Sequence, residues 1–233
     1  MQYPSPLIKG RLIKRYKRFL SDIELETGEI VTAHVANSGS MMGLKQPGFA
    51  VWLSPANNPK RKLLYSWELV DTGTSLVGIN TSLPNGIVAD AIAAGEIPEL
   101  EGYSASRREV KYGENSRIDI FLTDENKPDC YVEVKNVTLK REKSAAEFPD
   151  AVTVRGTKHL NELANMVRQG KRAVMFYLVQ REDVDGFTLA ADIDPTYAAA
   201  FAAARQAGVE ILCYGCHITT DGINISSPLP LID

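Results

Sequence analysis

An aspartate at 119 followed by Glu133-Val134-Lys135 carries the clearest chemical potential in this 233-residue chain. These residues fall in two short runs, Arg117-Ile-Asp-Ile-Phe-Leu122 and Cys130-Tyr-Val-Glu-Val-Lys135, joined by a polar segment containing Pro128. Two β-branched runs on either side of such a segment predict a hairpin. Side chains alternate between the faces of a strand. Ile118, Ile120 and Leu122 are therefore expected to share an apolar face with Cys130, Val132 and Val134, and the opposite face can gather Asp119, Glu133 and Lys135.

Two carboxylates held close together repel, and one takes up a proton unless a cation lies between them. Oxygen ligands of this kind suit Mg²⁺ or Mn²⁺. Lys135 lies one strand repeat (roughly 6–7 Å) beyond Glu133. There it could hold or deprotonate a water, or neutralise charge growing on a phosphate. An acid, a gap and then Glu-x-Lys resembles the PD-(D/E)xK nuclease signature, with Ile118-Asp119 in place of the literal Pro-Asp. The expectation is metal-dependent phosphodiester cleavage. Asp119 and Glu133, with the Val134 carbonyl, would ligate the metal, and Lys135 would position or activate the attacking water.

The elements around the hairpin suit that expectation. Thr81 to Gly95 has Ser and Thr before Pro84, a helical repeat through Leu83, Ile87 and Ile92, and a closing glycine, so it predicts a helix. Ser106–Gly113 predicts a strand leading into the hairpin, and Lys140–Pro149 a loop of mixed charge. Gly156–Gln169 predicts a second helix with Leu160, Leu163 and Val167 on one stripe; Arg155, Lys158 and His159 near its start are a candidate phosphate grip. Arg172–Val179 predicts a strand buried on both faces. Asp194 to Gly208 predicts a helix with Asp as N-cap, Pro at the first position and Gly beyond the end. Val209–Cys213 predicts a final strand. Strand–helix–strand repeats with buried strands give an α/β sandwich around a mixed sheet.

Residues 1–80 read differently. Five short strands are expected, the first running from Lys9 and bending on to about Leu25, the others at 30–35, 49–53, 63–69 and 76–80. Turns at 26–29 and 57–60 and a Gly/Ser/Asn loop at 37–43 separate them. This fits an OB-like barrel, with an SH3-like barrel as the rival. Lys9, Arg11, Lys14, Arg15, Lys17 and Arg18 all precede the first acid, with Tyr16 and Phe19 interleaved, and Lys60-Arg61-Lys62 form a second cluster. Basic and aromatic side chains on a small barrel suit contact with a nucleic-acid backbone. Residues 1–80 carry a net charge of +4 and residues 81–233 a net charge of −7. The expected division is a polyanion-binding barrel followed, from residue 81, by a cation-holding α/β unit. With a pI near 5.7, any nucleic-acid binding has to be local.

Hydrophobic residues make up 44% and charged residues 24%, ordinary for a globular protein. Apolar runs are too short to cross a bilayer. Met-Gln-Tyr-Pro-Ser-Pro lacks the basic and apolar segments of a signal peptide, so a soluble, cytoplasmic protein is expected. Cys213-Tyr-Gly-Cys-His217 matches a haem-attachment pattern but sits at a predicted strand end with no export signal, so reduced, partly buried thiols are expected. His34 is expected to pack in the barrel. No Gly-rich phosphate loop is present, which argues against ATP and NAD chemistry.

Arg15-Tyr-Lys-Arg-Phe-Leu20, Ser66-Trp-Glu-Leu69, Glu109-Val-Lys-Tyr-Gly113, Ser116-Arg-Ile-Asp119, Pro128 to Lys135, Phe148-Pro-Asp-Ala-Val-Thr153 and Arg155-Gly-Thr-Lys-His-Leu160 are similar to the sugar fermentation stimulation protein A family over essentially the whole chain. The resemblance implies an OB-like domain joined to a PD-(D/E)xK nuclease-like domain, sequence-independent DNA binding, and a regulatory role in maltose metabolism. By position the nuclease motif falls on Asp119, Glu133 and Lys135. A further acid would come from the first helix at Asp90 or from the next strand at Glu109. The expected backbone contacts are Arg11, Lys14, Arg15, Lys17, Arg18, Lys60, Arg61, Lys62, Arg155 and Lys158, on DNA or, as a second candidate, RNA. A catalytically silent DNA-binding regulator on the same fold is the competing reading.

Overall fold

The computed structural model describes residues 1–56, 58, 60–113, 116–142 and 144–232. Asn57 and Pro59 of the predicted 57–60 turn, and Lys143 of the predicted 140–149 loop, lie outside the described residues.

The amino-terminal strands are β1 (Ile8–Tyr16), β2 (Leu20–Leu25), β3 (Ile30–His34), β4 (Ala50–Pro55), β5 (Tyr65–Asp71) and β6 (Leu76–Gly78). Their order is β3-β2-β1-β4-β5-β6, and a β3–β5 pairing closes five of them into the OB-like barrel. Alternation supplies the inward face: Leu12, Ile23, Ala33, Val51 and Leu53 surround the fully buried Trp67. The first strand does not bend on to Leu25 as expected. It turns back through Lys17–Phe19, where Lys17 and Arg18 adopt φ of 45° and 63°. Such angles are uncommon without Gly or Asn, so the turn leaves little local trace in the sequence.

The second unit begins with α1 (Pro84–Ala93), then β7 (Ala105–Tyr112), β8 (Ser116–Asp124), β9 (Lys127–Val137), β10 (Ala145–Phe148), α2 (Val154–Arg168), β11 (Arg172–Val179), β12 (Gly186–Leu189), α3 (Pro195–Gln206), β13 (Glu210–Ile218) and β14 (Ile223–Pro228). Its main sheet has the order β14-β13-β11-β9-β8-β7. The centre is parallel (β9, β11, β13) and both flanks antiparallel, giving the mixed sheet expected. Met175 and Tyr177 of β11 pack with α2 and α3 on one face, while Val174, Phe176 and Leu178 pack with α1 on the other.

Helix ends follow their local signals. Asp194 accepts the Tyr197 N–H at 2.9 Å to cap α3, and Thr153 accepts the Gly156 N–H at 3.0 Å to cap α2. Three short strands escaped the sequence reading. β10 lies inside the predicted 140–149 loop and pairs in parallel with β12. β13 runs through Gly215 to Ile218, and β14 follows it, so Val209–Cys213 is not the last strand. β10 and β12 are four residues each and pair only across the intervening helix and strand, whereas β14 closes a local hairpin with β13 through Ile218↔Ile223 and is interrupted by the turn-type residues Asn224, Ser226 and Ser227.

The 117–135 hairpin forms, but both its faces are covered. Phe121 and Tyr131, on the face assigned to polar chemistry, pack with tilted rings 4.8 Å apart against the α2–α3 core. Ile118 also packs there, apart from Ile120 and Leu122. All three cysteines are buried; Cys213 and Cys216 belong to cores on opposite faces of the sheet, so they do not converge. Among the described residues no helix is long and apolar enough to cross a membrane.

Candidate functional site

β8 and β9 pair from Leu122↔Cys130 to Ile120↔Val132 and then part. At the point of separation the Asp119 side chain replaces the missing strand: its Oδ2 accepts the Val134 N–H at 2.8 Å. Asn85, near the start of α1, donates to the other oxygen at 2.7 Å. Glu133, on β9, is 2% exposed and lines the same cleft. Its Oε1 receives the Lys135 ammonium at 2.5 Å and contacts His159 Nδ1, whereas its Oε2 is buried with no hydrogen-bond partner among the described residues. The three residues of the sequence motif therefore come together, through the end of β9 and the gap that β8 leaves.

The cleft has a volume of about 430 Å³ and lies between the two units. Barrel residues Asn37, Ser38 and Gly39 form one wall, and the 147–153 segment with Arg155 and His159 another. Asp150 joins the walls by accepting from the Met41 N–H at 3.1 Å and the Ser40 hydroxyl at 3.3 Å. A Cβ at Gly39 would lie 2.5 Å from Asp150 Oδ2, so a larger residue there displaces this carboxylate.

Electrostatics separate the acids. Glu147, which also lines the cleft, is gripped by the Arg141 guanidinium on both oxygens. Burial, reinforced by the charge of Glu133, pushes Asp119 up to about 6. Burial would raise Glu133 too, but the Lys135 charge and the His159 hydrogen bond outweigh it and hold this carboxyl below its ordinary value. Asp119 and Glu133 are thus the coupled pair whose mutual repulsion a cation would relieve.

The other expected residues divide. Arg155 lines the cleft, but Lys158 points away and lies 3.6 Å from Glu162 on α2. His159 is buried beside Glu133, inside the site rather than exposed with the phosphate grip. Asp90 and Glu109 are exposed and do not line the cleft; α1 contributes Asn85 in place of an acid. Lys17 and Arg18 stand exposed at the barrel hairpin tip, and Lys60, Arg61 and Lys62 are exposed ahead of β5. Lys14 pairs with Asp22 at 3.4 Å, and Arg11 donates to the Gly48 carbonyl at 3.3 Å. Arg15 faces inward to the loop, donating to the carbonyls of Arg18, Asn37 and Gly39 at 2.7, 2.8 and 3.2 Å. It braces the cleft wall.

Asn85 and Asp150 are site residues that sequence reading did not assign, and His159, read as part of a phosphate grip, is instead a partner of Glu133. The signal for His159 was its place four residues after Arg155, which puts both on one helical face.

Among the described residues no three His, Cys, Asp or Glu side chains form a group able to hold a metal ion by themselves. The donor set still fits a hard cation. Such ions are commonly bound by one or two carboxylates, with waters and substrate phosphate completing the shell, and the buried, partnerless Glu133 Oε2 is an oxygen of that kind.

A family model described as the sugar fermentation stimulation protein RE domain matches residues 82–222, and one described as the SfsA N-terminal OB domain matches residues 13–79. A sugar fermentation stimulation protein homolog of Paramagnetospirillum magneticum is 60% identical over 99% of this chain and 98% of its own. The homolog of Rhodospirillum centenum is 59% identical over 99% of each chain. Among solved structures, Pyrococcus furiosus SfsA in complex with Ca²⁺ superposes with a TM-score of 0.90 at 29% identity, over 100% of this chain and 98% of that one.

Proposed function

The chain belongs to the sugar fermentation stimulation protein family, and on that premise we propose that it binds nucleic acid and cleaves phosphodiester bonds with Mg²⁺ or Mn²⁺. The observation that carries the reading is the meeting of Asp119, Glu133 and Lys135 in one cleft, with Glu133 Oε2 left without a partner. Asp119 and Glu133, with the Val134 carbonyl, would hold the cation. The Ca²⁺ bound by the Pyrococcus relative supports a divalent ion in this family. When bound, such an ion polarises a phosphoryl oxygen and lowers the pKa of a coordinated water.

The chain's own residues account for the rest. Lys135, its ammonium fixed against Glu133, orients the attacking water and offsets charge developing on the phosphate. Arg155, on the cleft rim, holds a neighbouring phosphate. The exposed Lys17, Arg18 and Lys60–Lys62 contact the backbone without reading sequence. The partner is DNA, with RNA as the second candidate.

One observation favours a silent DNA-binding regulator: both Asp119 oxygens already accept hydrogen bonds, from Asn85 and Val134. Incubating purified protein with labelled single-stranded DNA, duplex DNA and RNA, with and without Mn²⁺, separates the two. Metal-dependent scission that Asp119→Ala abolishes supports the nuclease. Salt-sensitive retention with no scission at any Mn²⁺ concentration supports the regulator.

A further inference from the structure

His159 sits in the second turn of α2, 4% exposed, with both ring nitrogens engaged. Arg155 Nε lies 3.3 Å from His159 Nε2. A guanidinium can only donate, so Nε2 must accept. Nδ1 has two neighbours, the Lys135 ammonium at 3.1 Å and, in closer contact, Glu133 Oε1. The carboxylate can only accept, so the closer contact places the ring proton on Nδ1. That nitrogen faces Glu133 Oε1, the oxygen that also receives the Lys135 ammonium. Two donors therefore converge on one carboxylate oxygen, and the other, Oε2, is buried with none. A buried acceptor left unpaired is destabilising, and a free carboxylate could relieve it by rotating. The paired donors on Oε1 oppose that rotation.

We propose that His159 is a positioning residue for Glu133: its Nδ1–H, fixed in that tautomer by Arg155, anchors Oε1 and reserves Oε2 for a divalent cation. The inference rests on the reading that Asp119 and Glu133 hold such a cation. It adds a histidine and an arginine that touch neither cation nor substrate through this contact, yet set the orientation of the ligand. Partners that orient a ligating side chain typically change metal affinity by about 10- to 100-fold when removed.

The test is Mn²⁺ titration by calorimetry on metal-free, full-length protein, with Tm recorded for each variant. Asn and Leu are nearly isosteric, and only Asn keeps a donor for Glu133. His159→Leu is expected to weaken Mn²⁺ binding by about 10- to 100-fold and His159→Asn by only about threefold. Equal affinities for the two variants, or wild-type affinity in His159→Leu, overturn the proposal. Should His159→Leu fail to fold, the ¹⁵N shifts of the His159 ring in the wild-type protein decide: protonated Nδ1 with bare Nε2 is expected, and the opposite tautomer overturns it. If wild-type protein binds no Mn²⁺, or Asp119→Ala binds it as tightly as wild type, the cation reading itself falls, a result separate from failure at His159.

Discussion

The Asp119 carboxylate accepts the Val134 N–H at 2.8 Å, Asp119 lying one residue and Val134 two residues beyond Ile120↔Val132, the last backbone pair between their strands. A side chain thus completes the hydrogen bonding that β8 abandons, and the cleft opens at that point without stranding a buried N–H. The contact also fixes Asp119 beside Glu133, where burial and then the Glu133 charge raise its pKa. Fold and chemistry meet in this one hydrogen bond.

The raised Asp119 makes stability pH-dependent. Its folded value is about 6 against an ordinary 3.8, so between these pH values the folded state holds a proton that the unfolded state has released. Stability of the metal-free protein should therefore fall as pH rises from about 4 to about 6 and then level off, by about 3 kcal/mol at most. Urea unfolding across that range should show the slope in wild type and lose it in Asp119→Asn. An unchanged slope in the variant would place the titration elsewhere.

Asp194 links two helices. Its Oδ1 caps α3 at Tyr197, while its Oδ2 accepts from the N–H of Thr153, the residue that caps α2. Asp194→Ala should cost about 2 kcal/mol, the upper end for loss of a cap. Hydrogen exchange at the first turn of α2, which carries Arg155, should accelerate alongside that of α3. Acceleration confined to α3 would mean that the link is weaker than the geometry implies.

The basic residues of the barrel should separate by role. Lys17→Ala and Arg18→Ala should each lower the salt dependence of DNA retention by about one unit of slope and leave Tm nearly unchanged. Arg15→Ala should instead lower Tm, because its guanidinium braces the carbonyls of Arg18, Asn37 and Gly39. Filter binding over a salt series, paired with thermal melts, reads both quantities. A wild-type Tm for Arg15→Ala would contradict the bracing role.

Gly39 tests the junction between the units. The Cβ added by Gly39→Ala would meet Asp150 Oδ2 at 2.5 Å and displace it from the Met41 N–H. The expected loss is about 1–3 kcal/mol of stability, read by chemical denaturation. Pairing it with Asp150→Ala should bring less than the sum of the two single losses, since both break the same contact.

Local signals made much of the architecture legible. Asp194 and Pro195 announced α3, and the run Ala173–Val179 of β11 declared itself buried on both faces. Alternation around Asp119 and Glu133 placed the acids on neighbouring strands, because a strand's period of two is written in consecutive residues. The Lys17–Arg18 turn was hidden, since neither residue type signals a positive φ. β10 and β12 were hidden too, because short strands exist only through each other.

By itself, then, the sequence determined which side chains could do chemistry and on which elements they ride. Tertiary structure alone decided that His159 grips Glu133, that Arg15 faces inward to the loop, and that Asn85 rather than Asp90 reaches Asp119. Each of those contacts joins residues at least 22 positions apart. Propensity and periodicity act over a few residues, while the partner of a buried polar group is chosen by whichever distant element the packed core brings within hydrogen-bonding reach.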